Sequence, residues 1–159
     1  MTTLAYSGTF TPCLGKMLDA TPPVVWHCPV GAAGGFLMGD FVVRTTGLVV
    51  VCATTVATQI LGIAKEDAPS AAGEVAVLVL TGMTAFKIPV HHETVGRADI
   101  EEADHGNATY DLVLLASPYW HIDKEESGAT VTVQQFVDPV GTVNGIVLAT
   151  INYGTREVG

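Results

Sequence analysis

Glu74, Val75, Ala76, Val77, Leu78, Val79 and Leu80 run unbroken between Gly73 and a Thr81-Gly82 turn. The run is far shorter than the ~20 apolar residues a membrane-spanning helix needs. Its Val residues are branched at Cβ, which suits a pleated strand better than a helix. Side chains alternate between the two faces of a strand, and here both faces are apolar, so neither tolerates water. A chain built on such a strand has to cover it from both sides, by a second layer or by closing the sheet round it.

The rest of the chain repeats the theme. Val, Thr and Ile make up 48 of the 159 residues, and 17 Gly and 8 Pro supply turns. Short strands are expected at 41–44, 48–52, 59–64, 84–90, 110–115, 120–123, 129–134 and 145–153, separated by turn signals such as Thr46-Gly47, Ser117-Pro118, Ser127-Gly128, Asp138-Pro139 and Asn144-Gly145. Gly62 marks a close approach of two backbones, and Pro89 an edge position or a strand end. Residues 91–107 form a polar loop with a helical turn near Ile100. No amphipathic helix of three turns is evident. The expected fold is all-β: a small β-barrel or sandwich of about eight or nine short strands with an extended N-terminal arm. A chain of this length makes one domain and buries roughly 70% of its unfolded surface.

Residues 1–35 are the expected arm, and 36–159 the β domain. The arm holds Pro12, Pro22, Pro23 and Pro29 and ends in the Gly-rich stretch 31–35. No strand or helix period survives in it, yet it carries Phe10, Met17, Val24, Val25 and Trp26. An apolar arm of this kind wants a surface to lie on, in its own domain or in a neighbouring subunit. Those five residues are the expected partner contacts.

The formal charge is −9, from 16 acids against 7 bases, and the bases are scattered singly. Binding to nucleic acid or to an anionic membrane is disfavoured, because each needs a basic footprint. A basic protein partner suits the charge better. Cys13, Cys28 and Cys52 form no C-x-x-C pair and read as buried free thiols of a reducing compartment. The first residues lack the basic and apolar regions of a signal peptide, so synthesis in a cytoplasm is expected.

Candidate chemistry is sparse. His91, His92 and Glu93 sit near Asp99, Asp104 and His105, but adjacent strand residues face opposite ways, and no spacing predicts three converging metal ligands. The acidic run Asp99, Glu101, Glu102, Asp104 lacks the spacing of a calcium loop. There is no Gly-x-Ser-x-Gly, and the 31–35 glycines lack the Lys-Ser/Thr end of a phosphate loop. Cys52 with His121 could form a dyad only if the fold brought them together. The reading is therefore a protein without catalytic residues, metal or cofactor.

One resemblance sharpens this. Gly39-Asp40-Phe41-Val42-Val43, Gly47-Leu48-Val49-Val50, the stretch from Gln59 to Ala68, and Gly73-Glu74-Val75-Ala76-Val77 together resemble the small β-barrel decoration, or head-cement, proteins of tailed phages. The detailed match covers residues 39–80; the arm and the 91–107 loop lie outside it. The resemblance implies a virion protein on the capsid surface, made in the host cytoplasm, often a homotrimer, whose partner is the major capsid protein and whose role is to reinforce the shell. The alternatives are another virion part (tail tube, head fibre or spike) and a small β-barrel enzyme or ligand-binding domain using the 91–105 loop.

Overall fold

The computed structural model describes residues 15–17, 22–31, 35–52, 60–68, 73–81, 84–92, 98–106, 110–128 and 130–152. The protein is all-β. In chain order the strands are β1 (Gly15–Met17), β2 (Val25–Pro29), β3 (Phe41–Thr45), β4 (Leu48–Val51), β5 (Gly62–Ala64), β6 (Glu74–Val79), β7 (Thr84–His91), β8 (Tyr110–Ala116), β9 (Tyr119–Ser127), β10 (Val131–Phe136) and β11 (Ile146–Ile151). Among the described residues the single helical element is a 3-10 turn, Glu102–Asp104, and no helix is long and apolar enough to cross a membrane.

The first sheet runs β1-β7-β11-β10-β8-β9, and β9 returns to pair with β7. The last five strands therefore close a barrel. Every pairing in it is antiparallel except the closing seam, where Val90 lies opposite Ile122 and His91 opposite Asp123 in parallel. Phe86, Ile88, Trp120, Ile122, Leu112 and Val133 are among the residues that fill the barrel core. The second sheet runs β2-β6-β5-β3-β4. It also curls: Val30 bridges Val49 in parallel, and the Gly31 N–H donates to the Val49 carbonyl at 2.9 Å. Its inner face encloses a separate core of Cys28, Val30, Val42, Val49, Val75 and Val77 among others. Phe41 leaves β3 on the opposite face and meets Phe86 and Trp120 edge-on at centroid distances of 5.0 and 5.3 Å, which joins the two bodies.

β6 behaves as its two apolar faces require. Val75, Val77 and Val79 enter the second core, Leu78 is buried on the other face, and Leu80 reaches the barrel core. Gly62 is where two backbones meet: a Cβ there would lie 2.1 Å from the Leu78 carbonyl oxygen. Close approach of that kind excludes every other residue.

Three expectations change. Among the described residues there are eleven strands rather than eight or nine, because residues 1–35 contribute two. β1 pairs with β7, and β2 pairs with β6 over Val25–Pro29. The prolines hid them. Pro22 and Pro23 precede β2, and Pro29 occupies its last position, where the missing N–H faces away from β6. Pro89, read as an edge or an end, lies within β7, a strand with neighbours on both sides. Val90 donates to Gly145, so the alternate residue Pro89 turns its nitrogen away from β11. On that side β1 pairing has stopped at Phe86 and β9 pairing starts at Val90, so no ladder bond is lost. The strand expected at 120–123 extends over Tyr119–Ser127.

Candidate docking site

The expected contact residues divide. Phe10 lies outside the described residues. Met17 is on β1, opposite Thr84 in the barrel sheet. Val24, Val25 and Trp26 come together at one end of the second sheet. Val24 accepts from the Val79 N–H at 2.8 Å, and Trp26 lies opposite Val77. Directly opposed residues share a face, so Trp26 belongs to the same face as Val77, Cys28 and Val30, which are buried in the second core. Trp26 itself is 37% exposed. It therefore stands at the open end of an apolar interior.

Sheet curvature brings the β3–β4 hairpin alongside. The Arg44 guanidinium lies over the Trp26 ring, 5.7 Å from its centroid, a cation–π contact. Leu48 is exposed, and its Cβ would be 3.0 Å from a Cβ at Gly31. The result is an exposed aromatic, the exposed Val24 and a cation together, with the exposed Val25 on the opposite face of β2, that of Leu78. Trp and Arg are both among the residue types enriched at the energetic centre of protein interfaces. Arg44 was one of the scattered bases in the sequence, and the curl of the sheet brings it onto Trp26.

Two of the histidines meet at the barrel seam. His91 on β7 and His121 on β9 meet edge-on with centroids 4.9 Å apart, both fully buried, on the side of the seam away from the barrel core. The His91 Nδ1 is 3.2 Å from the Asn144 Oδ1, which also accepts from the Ala98 N–H. Burial, and secondarily the nearness of His91, push His121 down to about 3, so it is neutral at physiological pH. His105 is elsewhere, exposed, with its ring 6.1 Å from that of Phe136. Among the described residues no three His, Cys, Asp or Glu side chains gather as a metal-binding group. Cys52 is buried, and burial, with the Asp40 carboxylate adding to it, pushes its thiol up to about 12. It stays protonated and is no nucleophile at neutral pH.

Asp104, read as a solvated loop acid, is fully buried. It accepts from the Tyr110 hydroxyl, from the Glu101 N–H at 2.8 Å and from Lys124 Nζ at 3.0 Å. Lys124 also donates to the Asp99 carbonyl at 2.9 Å and to Glu101 at 3.0 Å. One ammonium thus fixes residues 99–104 against β9. Lys124→Met should lower stability by about 2 kcal/mol, because it leaves the Asp104 charge buried with a partner missing. Urea unfolding at unchanged slope measures this, and a loss below half that figure would mean the pair does little.

Compared with protein-family models, with curated proteins and with solved structures, the chain finds no match in any of the three.

Proposed function

We propose that the chain is a structural virion protein of the capsid-decoration kind, docking on the outside of a phage shell through the open end of its second sheet. The observation that carries the reading is the half-exposed Trp26, held at the mouth of an apolar core under Arg44 and flanked by Val24 and Val25. Burying a Trp in a partner's pocket gives strong binding without chemistry. The residues that carry the decoration-protein resemblance, 39–80, fall on β3, β4, β5 and β6, the strands that frame this end. The partner is the major capsid protein, and the protein itself is a homotrimer in this reading. The fold alone does not dictate any of this.

The test is co-sedimentation with undecorated shells, together with light scattering of the free protein over a dilution series. Trp26→Ser should weaken shell binding about tenfold or more at a temperature where the variant is still folded, since a well-packed interface Trp is worth roughly 2 kcal/mol or more. Some fall in thermal midpoint is expected from the lost contacts to Arg44 and the second core. Equal binding by the variant would overturn the assignment of this end as the dock. A concentration-independent monomer would overturn the trimer.

A further inference from the structure

The connection between β10 and β11 presents a second exposed apolar cluster. Val137, Val140 and Val143 are 47%, 49% and 42% exposed, at every third position of a nine-residue loop. Turn-forming loops have no need of valine; they favour Gly, Pro, Asn, Asp and Ser. The polar and Gly residues of this loop are occupied in holding it rigid. The Asp138 carboxylate accepts from the Ile146 N–H at 2.7 Å, and the Thr142 hydroxyl donates to the Pro139 carbonyl at 2.7 Å. The Gly141 and Asn144 N–H groups donate to the carbonyls of Ile100 and Ala98 at 2.8 and 2.7 Å, and Ile100 donates back to Thr142 at 3.1 Å. Gly141 adopts φ +90°, and a Cβ at Gly145 would lie 2.6 Å from the fully buried Ile100. The tip is therefore built in advance, and ordering it on binding costs little.

Charge decides what it fits. Residues 98–106 and 136–146 place four carboxylates at the surface (Asp99, Glu101, Glu102, Asp138), with Asp104 buried beneath them, and hold no Lys or Arg. Lys124, reaching in from β9, already has its ammonium on Glu101, Asp104 and the Asp99 carbonyl. The whole chain carries −9. An acidic rim repels nucleic acid, anionic lipid and a second copy of the same rim. It attracts a protein surface whose apolar depression is bordered by Lys and Arg.

The loop and Trp26 also belong to different sheets. Val24 is bonded to the end of β6 that leads into β7, while Gly145 is bonded to Val90 near the other end of β7. Thr84 to Val90 spans six residue steps of strand, roughly 20 Å. We infer that the 137–143 loop is a second docking point, which seats its valines in an apolar, basic-rimmed socket on the shell protein.

This rests on the decoration reading above, and the experiment separates the two. Binding to purified undecorated shells is measured for the unmodified protein, Val140→Asp and Glu102→Lys, each from low to high NaCl. Both side chains are exposed, so thermal midpoints should not move. Val140→Asp should bind at least tenfold more weakly. Glu102→Lys should associate several-fold more slowly and lose part of the salt dependence. If the unmodified protein fails to bind shells, the decoration reading falls and takes this inference with it. If it binds and both variants match it, the loop assignment alone is overturned. If light scattering shows an oligomer that Val140→Asp dissociates, the loop joins copies of the chain and the basic socket is wrong.

Discussion

Asp40→Ala should lower stability by about 4 kcal/mol, the largest effect expected of a single substitution in this protein. Asp40 is fully buried at the start of β3. Its Oδ1 accepts from the Trp120 indole N–H at 2.8 Å, and its Oδ2 from the Leu37 N–H at 2.9 Å and from the Ser117 hydroxyl. Leu37 belongs to the segment before β3, whereas Ser117 and Trp120 flank the β8–β9 turn of the other sheet. Removing the carboxylate strands three donors, one of them on a Trp side chain that has no access to water. Domains of this size are stable by only 5–15 kcal/mol, so the variant should unfold at a far lower urea concentration. Asp40→Asn keeps one acceptor oxygen and should lose about half as much. A loss of under 1 kcal/mol for Asp40→Ala would show that the sheets are joined by apolar packing alone.

The second large effect is acid sensitivity at the barrel seam. His121 has an ordinary value of 6.5 when unfolded and is held at about 3 when folded. Between those values the unfolded chain takes up a proton that the folded protein refuses. Stability from this group is therefore complete above pH 6.5, falls as pH drops toward 3, and falls no further below that. The slope is about 1.4 kcal/mol for each pH unit well inside the window. Over the whole window the loss is on the order of 5 kcal/mol. Thermal midpoints measured from pH 7.5 to 4 should fall more steeply for the unmodified protein than for His121→Leu, which cannot take up the proton. Carboxylates titrate in both proteins, so the difference between the curves isolates the imidazole. Parallel curves would mean that the seam admits the charge.

Most of the described strands beyond residue 36 were legible as short apolar or β-branched runs closed by Gly, Pro or Asn; β9, with Ile122 as its one β-branched residue, was read only over 120–123. β6 even announced its place between two cores by having two apolar faces. β2 was not legible: Pro22, Pro23 and Pro29 mark a loop in any local reading, and what makes Val25–Pro29 a strand is the distant edge of β6. The site was half legible. Val24, Val25 and Trp26 stood out as apolar residues with no local purpose, but Arg44 reached Trp26 only through the curl of the sheet. His91 and His121 lie thirty residues apart in sequence and meet because the barrel closes in parallel between β7 and β9, a pairing no local pattern encodes. Asp104 looked like a solvated acid because Lys124 and Tyr110, its partners, lie on strands further along the chain.

β7 also has a mechanical meaning. It is bonded to β11 along one side, and to β1 and then β9 along the other. A pull applied along β7 would load these ladders in shear rather than peel them. Strands drawn lengthwise slide, and sliding strains many ladder bonds together, whereas peeling breaks them one at a time. Forced unfolding is governed by a rate of rupture and not by an equilibrium population. The geometry thus favours slow yielding under tension along β7, even in a domain whose thermodynamic stability is ordinary.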